Sequence, residues 1–203
     1  MSGLESIADT HYPQLRHLTT PVVAVTSAAG GVVNGMISNS AQRASLVPNH
    51  PRISIYISKT NYTHDLVMAS GAAGIHLLRN DQWDLIWHLG LQSRRDVDKL
   101  ATVETKTLTT GVPIITDVYI GYDCRVINTM DAGGATFFLF EIVDSLNGPA
   151  GDVMTSPHFR ANMPPDKKII YEQKLLEAMD DLILMSGNVD TSKRWTGPAK
   201  AVR

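Results

Sequence analysis

Val22-Val23-Ala24-Val25-Thr26, Gly30-Gly31, Asn34-Gly35-Met36-Ile37-Ser38-Asn39-Ser40 and Ile53-Ser54-Ile55-Tyr56-Ile57-Ser58-Lys59-Thr60-Asn61 follow one another early in the chain, and their reading decides the fold. The apolar run predicts a strand over 22–27. The glycine pair predicts a hairpin turn, because glycine tolerates positive φ, with the returning strand over 32–38. Residues 52–58 place Ile53, Ile55 and Ile57 on one face and Ser54 and Tyr56 on the other, the period of a strand with one face in a core. The polar stretches 38–40 and 58–61 each leave a strand. Their hydroxyl, amide and ammonium groups are the kinds of donor that hold a phosphate beside an apolar slot.

Outward from this stretch, residues 41–46 are compatible with a short helical turn. Thr63 reads as the N-cap of a helix over 64–70 that Gly71 ends, with Leu66, Val67 and Ser70 facing inward. A short strand over 74–78 follows, and then a helix from Asp81 to about Leu91. Trp83, Ile86 and Trp87 lie at helical spacing there, as core or as subunit interface. Strands are expected over 103–108, 114–117, 118–129 and 136–143, the last two joined by Asp131-Ala132-Gly133-Gly134 as a hairpin turn. At least six period-two segments without βαβ alternation predict an antiparallel barrel with peripheral helices. A long loop carries Pro157, Pro164 and Pro165. Residues 166–185 then predict an amphipathic helix with Ile169, Ile170, Leu175, Leu176, Met179, Leu182 and Ile183 on one side. Residues 1–18 read as an irregular arm or a short strand packing on the barrel, and residues 187–203 as an arm. The whole chain, 1–203, is expected as one domain: a barrel over about 18–145 and a C-terminal loop, helix and arm over about 146–203.

The apolar fraction of 43% and charged fraction of 19% suit a globular protein with a full core. A formal charge of -2 provides no general field for nucleic acid or anionic lipid, so neither is an expected partner and any bound anion must be held locally. Cys124 is the one cysteine; it excludes an internal disulfide, fits a cytoplasmic location, and reads as a small buried residue. Met1-Ser2-Gly3-Leu4-Glu5 has no basic region followed by an apolar one, so no secretory signal is expected. No run approaches the ~18 apolar residues of a membrane span.

The catalytic constellations common in enzymes are absent from the sequence: no His-Glu-x-x-His, no Cys-x-x-Cys, no Gly-x-Ser-x-Gly, and no Gly-x-Gly-x-x-Gly after a strand. The seven histidines are scattered, which argues against a metal site. Any chemistry is therefore expected from a cofactor.

The order of several motifs resembles the flavin reductase-like family of FMN-binding split barrels. The matching features are Gly35-Met36 with Ser38-Asn39-Ser40, then Ser45-Leu46 with Pro48, then Ser58-Lys59-Thr60-Asn61-Tyr62-Thr63-His64-Asp65-Leu66. Ser70-Gly71 ahead of Ile75-His76-Leu77-Leu78, and Gly111-Val112-Pro113 ahead of Tyr122-Asp123-Cys124-Arg125-Val126, continue the order. The resemblance covers about residues 18–145. It implies an antiparallel split β-barrel, a homodimer, and reduction of FMN by NAD(P)H, with FAD as another flavin the site could take and a monooxygenase component as a partner. It places Met36, Ile37, Ser38, Asn39, Ser40, Ser45, Ser58, Lys59, Thr60, Asn61 and His64 at the cofactor, with no catalytic side chain because the flavin itself carries the hydride. Lys59, Ser58 and Thr60 would hold the phosphate, and Ser38–Ser40 the ribityl chain and the polar edge of the ring. His64 reads either as a packing residue or as a phosphate neighbour, and Arg94 with Arg95 either as a solvated turn or as a dinucleotide clamp. Ile37 stands where family members commonly have threonine, and Gly133-Gly134 where many reductases carry a histidine before the last barrel strand. The alternatives are an FMN-binding electron carrier or storage protein without NAD(P)H activity, and a flavin enzyme acting on another organic substrate.

Overall fold

The computed structural model describes residue 15 and residues 17–92 and 97–189. Arg94 and Arg95, and most of both expected arms, lie outside the described residues. Among the described residues nine strands and four helices follow in chain order: β1 (Val23–Ala29), β2 (Val32–Ser38), β3 (Gln42–Arg43), β4 (Arg52–Ser58), α1 (Tyr62–Ser70), β5 (Ala72–Leu77), α2 (Trp83–Leu91), β6 (Thr105–Thr107), β7 (Pro113–Ile115), β8 (Ile120–Asp131), β9 (Ala135–Asn147), α3 (Ser156–Asn162) and α4 (Pro165–Ser186). Seven strands form one antiparallel sheet in the order β2-β1-β5-β8-β9-β4-β3, and β6 and β7 form a separate ribbon. The sheet curls into a split barrel. Register irregularities at Asp123/Cys124 and Val126/Asn128 interrupt the β8–β9 pairing, and bulges of this kind bend a long hairpin.

β1 explains the curl. Val23 and Val25 enter the barrel interior with Met36, Ile55, Ile57, Ile75, Phe138 and Phe140. Val22 and Ala24 enter a second core outside the barrel with Ile86, Trp87, Leu89, Met154 and Phe159. A strand buried on both faces reads as a continuous apolar run, as this one does. Gly30 and Gly31 both take positive φ (57° and 79°) in the β1–β2 turn. α1 lays Val67 into the barrel core, and Gly71, in the left-handed conformation, ends it by donating to the carbonyl of Val67.

Several local expectations are corrected. Residues 42–43 form a short strand on β4 rather than a helical turn, because Arg43 and Gln42 find backbone partners at Ile53 and Ser54. α1 begins at Tyr62 with Asn61 at the cap, and Thr63 is inside it, its hydroxyl taken by Asn34. Gln82, not Asp81, stands at the cap of α2, since Asp81 pairs with Arg79 at 3.2 Å. Ser70 is exposed, its hydroxyl near that of Ser27 at 3.1 Å and donating to Ala72. The loop before α4 contains α3, whose cap Thr155 accepts from the N–H of His158. α4 forms as expected, yet none of its residues is buried.

His76 fastens the ribbon to the sheet. Its ring is fully buried, Nδ1 lies 3.1 Å from the carbonyl oxygen of Ala24, and Nε2 accepts the N–H of Ile115 at 3.0 Å. That acceptor role requires the neutral ring, with Nδ1–H donating. Glycines make the room: a Cβ at Gly74 would stand 2.7 Å from the ring and one at Gly121 3.0 Å. Burial pushes the His76 pKa down to about 4, against a lesser raising influence of its bond to Ala24. In the unfolded chain the imidazole protonates near 6.5, so the stability it lends above that pH is lost as pH falls towards about 4, an effect of roughly 3 kcal/mol. His76→Asn is therefore expected to cost more at pH 7.5 than at pH 4.5 in urea denaturation. An equal cost at both pH values would show that the ring's protonation is not linked to folding.

Candidate functional site

The hydroxyl-bearing end of β2 and the turn after β4 come together. Ser40 donates from Oγ to the carbonyl of Tyr56 at 2.9 Å, two residues before Ser58, so the two polar stretches are bound to the same short length of β4. Within each stretch the hydroxyls are paired: Ser38 with Ser40 at 2.9 Å and Ser58 with Thr60 at 2.8 Å. The N–H of Thr60 donates to Ser58 Oγ at 3.3 Å, which curls the turn into α1.

A cleft of about 880 Å³ opens beside this junction. Val32, Asn34 and Met36 of β2 form one wall, Thr60, Asn61, Tyr62 and Asp65 the α1 end, Gln92 and Lys99 the segment after α2, and Lys174, Glu177, Ala178 and Asp181 of α4 the cover. The side chain of Asn61 makes no cap bond, so the N-terminal end of α1 faces the cleft with backbone donors that no side chain caps.

Of the residues expected at a cofactor, Met36, Thr60 and Asn61 line this cleft. Ile37 turns the other way, into the core under α2, where a Cβ at Gly90 would touch it at 3.2 Å. Ser38, Asn39, Ser40 and Ser58 belong to the adjoining junction. Lys59 is turned onto the β8–β9 turn: its ammonium holds both carboxylate oxygens of Asp131, at 2.8 and 2.9 Å, and its N–H donates to Gly134. This bond, followed by the N–H of Gly133, holds the Asp131 carboxyl below the usual range. His64 packs: Nε2 meets Thr136 Oγ1 at 2.9 Å, Nδ1 meets Asp65 at 3.2 Å, and the ring stands edge-on to Phe138. Ser45 lines a different, apolar cleft of about 590 Å³ at the barrel mouth, with Val23, Ile53, Ile75 and Tyr122.

Two residues in the first cleft escaped the sequence reading. Asn34 is 3% exposed; its Nδ2 donates to Thr63 Oγ1 at 3.0 Å and its Oδ1 has no partner. Lys99 is 7% exposed and donates to the carbonyls of Leu89 at 2.7 Å and Gly35 at 3.3 Å. Burial, and then the charge of Lys174, push its pKa down to about 8. In sequence Lys99 sits in a charged run that reads as a solvated turn, and only its neighbour Leu100 hints at burial. Cys124 is fully buried, and burial pushes its thiol pKa up, so it is no nucleophile. No group of metal-ligating side chains and no helix long and apolar enough to cross a membrane occurs among the described residues.

The family description "Flavin reductase like domain" matches residues 15–157, well over half of the chain. The chain belongs to the flavin reductase-like family. The ferric-chelate reductase (NAD(P)H) of Archaeoglobus fulgidus is 28% identical over 156 residues, covering 74% of this chain and 91% of that protein. The high molecular weight rubredoxin of Moorella thermoacetica is 29% identical over 147 residues, covering 71% of this chain and 63% of that protein. The chain thus spans less than two thirds of the rubredoxin relative. The solved NADH:FAD oxidoreductase of Streptomyces globisporus shares the fold, with a TM-score of 0.63, 24% identity, and coverage of 72% of this chain and 89% of that one.

The cleft residues fit a flavin nucleotide. Its volume lies within the roughly 300–1,000 Å³ of small-molecule sites, α1 offers donors for a phosphate, and the Asn34 oxygen awaits a donor. Lys59 could serve that phosphate only by leaving Asp131, a half-exposed pair of the kind that exchanges readily. Asp131→Asn is therefore expected to raise affinity for FMN several-fold while leaving riboflavin, which lacks the phosphate, unchanged. Lys59→Ala should weaken FMN alone. Parallel changes for both flavins, followed by fluorescence quenching, would remove Lys59 from the phosphate site.

Proposed function

We propose that this protein is an NAD(P)H:flavin oxidoreductase that holds FMN in the cleft between β2, the start of α1 and α4. The observation that carries the reading is the convergence, in one cleft of a flavin reductase-like barrel, of an uncapped helix N-terminus with two buried polar side chains, Asn34 and Lys99. The N–H groups of Tyr62 and Thr63 in the first turn would bind the phosphate, aided by the helix dipole, with the side chains of Thr60 and Asn61 beside them. Ser38, Asn39 and Ser40 would meet the ribityl chain, and Met36 would supply an apolar contact. A bound flavin supplies hydride-accepting and hydride-donating chemistry, so the chain's own work is to bind, orient and exclude water.

A second reading is an FMN-binding electron carrier. It is favoured by the turn where many reductases carry a histidine. Here Gly133 and Gly134 are buried under the end of α4, and a Cβ at Gly133 would stand 2.6 Å from the Met185 carbonyl oxygen. That leaves no side chain at this position to position nicotinamide. A third reading, a flavin enzyme for another organic substrate, has no such observation in its favour.

The protein is proposed to act as a homodimer in the cytoplasm. Met130, Phe137 and Tyr56 stand side by side across β8, β9 and β4, all exposed, and Ile169, Ile183 and Leu184 are exposed on α4. A second copy would cover such surface. A monooxygenase component as a further partner rests on the family resemblance alone.

Two measurements test these readings. Light scattering on the eluting protein is expected to give twice the 22.2 kDa of the chain, and a monomer would remove the dimer. Anaerobic mixing of the FMN-loaded protein with NADH or NADPH is expected to bleach the flavin at about one per second or faster. Loading without bleaching by either nucleotide would leave the electron carrier.

A further inference from the structure

We propose that Asn34 and Lys99 form a donor–acceptor pair on the floor of the cleft that recognises the imide edge of a flavin ring and stabilises the reduced ring. The inference rests on the reading of this cleft as the flavin site and adds which edge of the ring enters first.

Both side chains are more than nine-tenths buried, and both line the cleft. They are also neighbours, because the Lys99 ammonium donates to the carbonyl of Gly35, the residue after Asn34. Among the described residues Lys99 has no carboxylate partner: its two acceptors are carbonyls, which leaves a third N–H of the ammonium for the cleft. The Asn34 amide spends one polar atom on Thr63 and leaves the other without a partner. A buried amide oxygen with no donor is costly to a fold, and one that faces a cleft is satisfied when a ligand N–H arrives.

The ligand must therefore present a hydrogen-bond donor beside an acceptor. The dianion of a phosphate monoester, the form of the FMN phosphate, presents only acceptors and would leave the Asn34 oxygen unmet. The N3–H of a flavin, flanked by the carbonyls at C2 and C4, presents the required pattern. With N3–H on Asn34, the C2 carbonyl falls to Lys99. A cation there favours the electron-rich reduced ring over the oxidised one, since charge near that edge tunes the cofactor.

The test compares FMN with 3-methyl-FMN, in which N3–H is replaced by N–CH3. Wild-type protein is expected to bind the methylated flavin at least ten-fold more weakly, and Asn34→Ala is expected to weaken FMN and to lose the discrimination. Lys99→Met is expected to lower the ratio of reduced to oxidised FMN affinity at least ten-fold, a fall of about 30 mV in midpoint potential, and Lys99→Arg to restore most of it. Ala178→Trp, which fills the cleft from α4, is expected to abolish FMN binding. Retained binding in that variant would remove the flavin from this cleft and overturn both readings. Loss of binding there, with equal affinity of wild type for both flavins or an unchanged potential in Lys99→Met, would leave the cleft reading in place and overturn the pair.

Discussion

Burial of β1 on both faces is the constraint from which the rest of the structure follows. A flat sheet with one wet face needs only one apolar set along each strand. Here Val23 and Val25 need a closed interior while Val22 and Ala24 need a cover on the outside. The sheet answers the first need by curling, and α2 and α3 answer the second with Ile86, Trp87 and Phe159. The curl brings the end of β2 against β4, where Ser40 reaches Tyr56. Without that closure the two polar stretches would sit at distant edges of an open sheet.

The cleft is a product of incomplete closure. β2 and β4 meet at one end only, and α1 fills the remaining gap with Val67 inside and its N-terminal end, at Asn61 and Tyr62, on the cleft. A helix lodged in this way exposes its N-terminal N–H groups next to the barrel wall. α4 then crosses the opening, resting at one end on α3, where Tyr171 meets Phe159 edge-on, and at the other on the glycine pair of the β8–β9 turn. Because α4 buries no residue of its own, it covers the cleft without being locked to it.

Much of the fold was legible from the chain. The β1–β2 hairpin, β4, the β8–β9 pair, α1, α2 and α4 all follow from apolar period and glycine placement, and the expected family agrees with the match over residues 15–157. Two short features, β3 and α3, were not legible, because a two-residue strand or a seven-residue helix has too few positions for a period to show. The junction of residues 38–40 with 58–60 could be anticipated because both leave strands that a barrel sets together. The fate of Lys59, held by Asp131 from seventy-two residues away, could not. Nor could the role of Lys99, since an ammonium among charges reads the same whether it is solvated or buried.

The amino-acid sequence by itself determined the longer strands, their turns and the family. Those properties arise from local preferences and from alternation along the chain, and both are written in consecutive residues. Only the tertiary structure decided which polar groups face the cleft, because orientation depends on what packs behind each strand. Asn34 and Ile37 lie three residues apart on one strand. The pleat of the strand puts them on opposite faces, and the curl of the sheet and the seat of α2 decide that one face meets the cleft and the other α2.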